Sequence, residues 1–380
     1  MIFSLIIFIL ILSVLIFLHE LGHFTTAKLF KIKVDEFGMG LPPKLFGKKR
    51  GETEYTINAL PLGGFVRIRG EDFEGYDPKD KHNFINKKPW QKFIVLFAGI
   101  FMNSVVAITL FYFVLASNGL KSTPLLLMGE YDFKFGNEVV LQNIITFVQE
   151  GSSASDAGVQ FGDRIISLSY QEEIVYPEDV LGLRSFLNDK VDKEIIVETE
   201  NINTHDNNKY IIKPTYLEEI KQPALGVALS DAIYLDYNTN LFDKTFAGFL
   251  HAANITGYSY HAMGSLIRSS IETKDLAPVS QGVSGPVGIF GAVQTVLESD
   301  LSNKWLTIFD LVAILSLSLA IMNFLPIPAL DGGRIVFVLY EWITGKRPSQ
   351  KLEGKAHQIG YLLLMGLLVV VTIKDILQLF

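Results

Sequence analysis

Five consecutive residues, His19-Glu20-Leu21-Gly22-His23, carry the densest chemistry in this chain. On an α-helix, positions four apart lie about 40° apart around the axis and one turn along it, so both imidazoles face one way and can share one metal ion. The Glu between them is placed to take a proton from a water that such a metal activates. Two histidines fall short of the three protein ligands that a catalytic zinc usually has. The other histidines, His82, His205, His251, His261 and His357, lie in loops or in the long middle region, and none has the spacing of an extended zincin motif. Asp331 is the better candidate for a third ligand. A carboxylate directly after a long apolar run needs a partner or a metal, although it also reads as an N-cap opening the next helix.

The elements that must position these groups are apolar. The chain has 380 residues, 49% hydrophobic and 19% charged, with a mean hydropathy of +0.31. That balance excludes a disordered polyelectrolyte and argues against an ordinary soluble globule. Uncharged blocks run over Ile2–Leu18, about Phe93–Ala116, about Leu311–Leu330 and about Ile359–Ile373. A bilayer core of about 30 Å needs about 20 apolar residues in helix, which makes these four candidate spans. The first block lacks a basic flank and a small-residue cleavage site, so a retained helix is expected rather than a signal peptide. The net charge of −7 comes without a long basic tract, which makes nucleic acid a poor partner. No cysteine is present, so thiolate metal sites, disulfides and a cysteine nucleophile are excluded.

Charge asymmetry orients the spans. Residues 24–92 hold 14 Lys/Arg against 9 Asp/Glu, and the segment after the third span is also basic, whereas residues 117–304 hold 13 against 25. Basic loops stay in the cytoplasm, which places 24–92 and 332–358 inside and the acidic region outside. Within that region, 140–217 reads as a small strand-rich module, with runs such as Ile144–Val148, Arg164–Leu168 and Glu194–Val197 between turn-rich stretches. Phe242–Ile271 reads as one or two amphipathic helices and 277–286 as a loop.

The third span ends in Asn323-Phe324-Leu325-Pro326-Ile327-Pro328-Ala329-Leu330-Asp331-Gly332-Gly333. Pro326 and Pro328 should break the helix, and irregular backbone at membrane depth is tolerated only where it is buried in protein or lines a wet cavity. Asn323 on that cavity wall could hydrogen-bond an extended peptide, or else stitch two helices together.

With these motifs the chain resembles the bacterial site-2 proteases, intramembrane zinc metalloproteases with His-Glu-x-x-His on a first helix and a distant Asn-x-x-Pro-x-Pro-x-Leu-Asp-Gly. The likeness extends to Asn58-Ala59-Leu60-Pro61-Leu62-Gly63-Gly64-Phe65-Val66 and Ser284-Gly285-Pro286-Val287-Gly288-Ile289. The resemblance implies one Zn2+ per chain held by His19, His23 and Asp331, with Glu20 activating the attacking water. It places Asn323, Pro326, Pro328, Gly63, Gly64 and Asn103 among the residues that meet substrate. It further implies a β-hairpin within 37–70 that holds substrate as an added strand, a PDZ domain in the external module, and single-span membrane proteins as substrates. Shortened anti-sigma factors and signal-peptide remnants are the family's examples. The family's second helix often reads Gly-Pro-x-x-Asn; here Ile100 replaces the proline in Gly99-Ile100-Phe101-Met102-Asn103, which predicts a straighter helix. The best-known bacterial member has tandem PDZ domains, whereas 117–304 accommodates one.

The expected fold is an α-helical polytopic membrane protein of about four transmembrane helices, with a membrane-associated β-hairpin or sheet and an inserted external PDZ domain. Its expected parts are a first helix in 1–30, a cytoplasmic-side β region in 31–92, a second helix in 93–117 and an external region in 118–230. There follow amphipathic helices and a loop in 231–304, the third span in 305–332, a cytoplasmic segment in 333–358 and the fourth helix in 359–380. The expected location is the bacterial inner membrane, with the active site towards the cytoplasm and the PDZ region on the periplasmic side. A membrane scaffold with a structural metal and an ion transporter are the rival readings. The first is disfavoured because a structural zinc normally has four protein ligands, the second because no inverted repeat is visible.

Overall fold

Apolar blocks long enough to span a bilayer satisfy their own backbone only as helices, and all four do so. A computed structural model describes residues 1–71, 79–126, 131–149, 151–178, 180–202, 206–217, 222–275, 277–299 and 303–377. In chain order it begins with α1 (Ile2–Leu29), β1 (Val34–Arg50), β2 (Thr53–Ile68) and α2 (Pro89–Ser117). Then come β3 (Leu125–Leu126), β4 (Asn137–Val148), α3 (Ser153–Asp156), β5 (Asp163–Tyr170), β6 (Glu173–Val175) and α4 (Val180–Leu187). The middle of the chain continues with β7 (Ile195–Asn201), β8 (Asn207–Ile212), β9 (Thr215–Leu217), β10 (Gln222–Ala224) and β11 (Val227–Asp236). It closes with α5 (Leu241–Thr273), α6 (Ala277–Gly282), α7 (Pro286–Glu298), α8 (Lys304–Phe324), α9 (Asp331–Thr344) and α10 (Gln350–Leu377). Helices α1, α2, α8 and α10 are long and apolar enough to cross a membrane. Only 11% of the α10 span is buried, against 28–39% in the others, so α10 is the most peripheral of the four.

Two compact units result. The first gathers Met1–Phe113, Ile255–Ser299 and Ile308–Phe380; the second is chiefly Val114–Asn254. In the first, the core joins Ala27 of α1, Val95, Leu96 and Ile100 of α2, Ala320 of α8, Ile335 and Val338 of α9 and the base of the β1–β2 pair at Val34 and Ile68. A second cluster packs Phe8, Ile11 and Leu15 of α1 against Val293 of α7 and Ile308 of α8. Strands β1 and β2 are more than a hairpin. Both bend, so that Phe37 pairs with Val66 on one side and Tyr55 on the other, while Lys48 pairs with Tyr55 from beyond. The order is thus 64–68, 34–39, 53–57, 46–50: two long strands do the work of four, with 64–68 at one edge.

The second unit is built on a sheet of order β3-β11-β4-β5-β7-β8, with β6 against β5. Leu183, Phe186 and Leu187 of α4 plug its core against Ile145, Ile165, Leu168, Ile195, Val197 and Ile212. The sheet extends past 217, because β11 pairs with the whole length of β4; such distant pairing has no local signal in sequence. Residues 277–286, expected as a loop, include the short helix α6. Proline in a helix's first turn needs no N–H there, so the composition that suggested a loop is compatible with one turn of helix.

A buried polar knot ties α5 to Tyr237, the residue just after β11, in this unit. Tyr237 is fully buried; its hydroxyl accepts from Asn254 Nδ2 at 3.0 Å and meets His251 Nδ1 at 3.1 Å. Burial pushes the His251 pKa down to about 4. The unfolded chain takes up that proton near 6.5, so between these values the unfolded state holds more protons and stability is lost as the pH falls through that window. The expected loss is about 3 kcal/mol between pH 7 and pH 4. Denaturant unfolding of the detergent-solubilised chain at both pH values measures it, and His251→Asn should show a smaller acid loss; equal losses would rule His251 out as the cause.

Candidate functional site

Three positions of α1, His19, Gly22 and His23, share a face at spacings of three and four residues, and all three are buried. That face lies on α2 at backbone distance. A methyl group on Gly22 would stand 2.4 Å from Ala98 O, and one on Gly99 would stand 2.4 Å from His23 Nε2 and 2.7 Å from His19 Cε1. Glycine on each helix therefore lets the two backbones close up, and the missing side chain of Gly99 makes the slot that the imidazoles fill.

Asp331 arrives from the other side. Helix α8 stops at Phe324 and the chain runs irregularly through Pro326 and Pro328, with Ala329 in the left-handed region at φ 81°. Methyl groups on Gly332 and Gly333 would collide with Leu325 O at 2.1 Å and Ile327 O at 2.4 Å, so both glycines are needed for α9 to start tucked under this segment. The N-cap of α9 is Leu330, without a side-chain cap. Asp331 thus lies in the first turn, and its reading as an N-cap is set aside.

The three side chains converge. His19 Nε2 and His23 Nε2 are 3.1 Å apart, and Asp331 Oδ2 is 3.1 Å from the first and 3.3 Å from the second. A tetrahedral zinc with bonds of about 2.0–2.1 Å has ligand–ligand edges of about 3.3 Å, so the triangle is the size such an ion requires. Asp331 Oδ2 is buried and faces the two imidazole nitrogens, yet accepts no well-aligned hydrogen bond from any described residue; a cation between the three would supply its partner. The donor set of two imidazoles and one carboxylate suits zinc with a fourth position open. Behind the triangle, His23 Nδ1 lies 2.8 Å from Val95 O and His19 Nδ1 lies 3.2 Å from Asn103 Nδ2.

Glu20, on the same helix, accepts at Oε2 from Val66 N–H at 3.1 Å. Val66 is in the edge segment 64–68, which lies directly on α1. Gly63, at φ 86°, packs against Ile16, and a methyl group on Gly64 would be 3.9 Å from Glu20 Cγ. Asn323 is half-buried at the end of α8 and bonds to no described residue, while Pro326 is exposed and Pro328 half-buried in the segment leading to Asp331. Asn103, expected to meet substrate, is instead 1% exposed behind His19; a side chain sealed between helices reaches the imidazole, not a peptide.

Two supports were invisible as chemistry. His357 of α10 accepts at Nδ1 from Ala329 N–H at 2.9 Å, and a methyl group on Gly360 would be 2.2 Å from Pro328 O. Helix α10 so clamps the irregular segment; only the spacing of His357 and Gly360 on one helix face hints at it. His82 bonds Lys31 O and His251 lies in the knot described above, whereas His205 lies outside the described residues. Gly99→Ala should weaken divalent-metal binding on the order of 10-fold or more, the scale of supporting contacts at metal sites. Gly366→Ala on α10, which opens into free space, should leave binding unchanged; metal competition against a chelator checks both.

Comparison with known proteins agrees with this geometry. Residues 7–367 match the model of peptidase family M50. The chain is 31% identical over 376 residues to a Fusobacterium nucleatum protein named as a zinc metalloprotease, covering 97% of each. It is 31% identical over 374 residues to a similarly named Clostridium acetobutylicum protein, covering 98% of this chain and 97% of that one. It is 28% identical over 452 residues to zinc metalloprotease RasP of Bacillus licheniformis, covering 98% of each. The four apolar helices make it a multi-pass membrane protein. The chain belongs to peptidase family M50, as a zinc-dependent metalloprotease of the site-2 protease family.

Proposed function

We propose that this protease hydrolyses peptide bonds within or near the membrane spans of single-span proteins, with His19, His23 and Asp331 holding the zinc and Glu20 as the proton carrier. One observation carries the reading: three potential ligand atoms lie within 3.1–3.3 Å of one another, and the two histidines among them share α1 with a glutamate that bonds the edge of a sheet. Zinc there supplies a Lewis acid that activates a water and polarises the scissile carbonyl. Glu20 Oε2 takes the proton from that water and passes it to the leaving nitrogen. A helical substrate hides its amides, so it must be unwound first. The edge at 64–68 accepts it as an added strand, Gly63 and Gly64 let it lie close to α1, and Asn323 with Pro326 and Pro328 borders it on the Asp331 side.

The same reading sets the protein in a bacterial inner membrane, with 24–92 and 332–358 in the cytoplasm, the zinc site towards that face and the acidic second unit outside. That unit is PDZ-like: α4 packs on the sheet and borders a cavity of about 290 Å³ with Pro223, Leu225 and Leu229. Its role is to keep bulky intact proteins from the cleft, leaving already shortened substrates such as a trimmed anti-sigma factor or a signal-peptide remnant.

Wild type should carry one zinc per chain and cleave a helical model substrate in detergent. Glu20→Gln should keep the zinc and lose roughly 10²-fold or more of the cleavage rate, while Asp331→Ala should lose both. Retained cleavage in Glu20→Gln would remove the glutamate from the mechanism, and retained zinc in Asp331→Ala would remove the third ligand. Deleting the sheet from Asn137 to Asp236 should permit cleavage of an unshortened substrate; unchanged selectivity would sink the filtering role.

A further inference from the structure

Val95, Gly99 and Asn103 form a stripe on α2 with a four-residue step, and that stripe backs both histidines. At one end Val95 O lies 2.8 Å from His23 Nδ1; in the middle Gly99 leaves the slot for the two rings. At the other end Asn103 is 1% exposed, and its backbone is pinned because Ser316 Oγ of α8 donates to Asn103 O at 2.8 Å. Its carboxamide meets His19 Nδ1 at 3.2 Å through Nδ2, while its Oδ1, buried as well, has no partner among the described residues.

Those two facts conflict once His19 Nε2 is committed to a metal. An imidazole that ligates through Nε2 is neutral and carries its one proton at Nδ1, where it is a donor. An amide NH2 facing it is a donor too, and the buried amide oxygen stays unpaired, which is unfavourable. Turning the carboxamide half a turn about its last torsion puts Oδ1 against Nδ1–H within the same space, so that donor meets acceptor. We propose that Asn103 is a positioning residue that accepts a hydrogen bond from His19 Nδ1–H, fixing this imidazole in the Nδ1–H tautomer with Nε2 aimed at the zinc. On this account His19 and His23 are held alike, one by a side-chain oxygen and the other by a backbone oxygen of the same helix, and the Gly-x-x-x-Asn pattern is a seat for two histidines. The proposal rests on the reading of His19 as a ligand.

The test uses the full chain in detergent, zinc as the probe and a competing chelator. Asn103→Leu, which removes the acceptor, should weaken zinc binding roughly 10–100-fold. Asn103→Asp, which keeps an oxygen in place, should stay within a few-fold of wild type. In wild-type protein labelled with 15N-histidine, the imidazole signal lost in His19→Ala should show its proton at Nδ1. Wild-type affinity in Asn103→Leu, equal losses in the Leu and Asp variants, or a His19 without a proton at Nδ1 would each overturn the proposal. The labelled wild type reports the tautomer even if Asn103→Leu does not fold. Asp331→Ala separates the two levels. If it loses zinc while Asn103→Leu does not, only the role of Asn103 falls; if it keeps full affinity, the ligand set itself falls.

Discussion

Holding polar, metal-ligating groups inside an apolar helical bundle is the constraint on which the rest of this structure depends. An imidazole or carboxylate among hydrocarbon must be paired or it is costly, and here the polar atoms find one another. His19, His23 and Asp331 meet at hydrogen-bond distances, His23 turns its other nitrogen to a carbonyl, and Glu20 finds the Val66 amide. Remove the convergence and each group becomes a buried liability. The glycines follow from it: Gly22 and Gly99 bring two helices close enough to enclose the rings, and Gly332 and Gly333 draw α9 under its own approach segment.

The same constraint explains where regular structure stops. A site that cuts peptide bonds must admit water and an extended chain, so it sits where helix gives way to strand and loop. Pro326 and Pro328 end the third span just before Asp331, and α10 steadies the irregular stretch through His357 and Gly360. On the opposite side the bent strands present an edge whose amide already bonds Glu20. An edge strand is a hazard in most folds because it invites another strand to pair; in the proposed mechanism that edge, beside Glu20, is the place for substrate.

The second unit obeys different rules. Its sheet and α4 enclose an ordinary hydrophobic core, and its buried polar knot at Tyr237, His251 and Asn254 is satisfied internally. Burial holds His251 neutral down to about pH 4, so acid acts on this unit through the fold. The first unit also holds structural buried pairs, such as Lys92 with Glu341, but it alone gathers His19, His23 and Asp331 at one point.

By itself the sequence determined what depends on neighbours along the chain. Four apolar blocks of spanning length become helices because only a helix satisfies the backbone within one segment in hydrocarbon. The four-residue step from His19 to His23 fixes their common face, and two prolines fix where α8 must end. Resemblance to a family then supplied Asp331 as a partner, which spacing alone left open between ligand and cap. Only the tertiary structure decided which distant atoms touch. It brought Asp331 to the histidines, laid Val66 against Glu20, folded two strands into a sheet of four, joined β11 to β4, and put Asn103 behind His19 instead of against a peptide. The reason is physical: helix periodicity follows from covalent geometry and local hydrogen bonds, whereas contacts between elements are set by packing. A glycine that permits a 2.4 Å approach looks, in one dimension, like any other glycine.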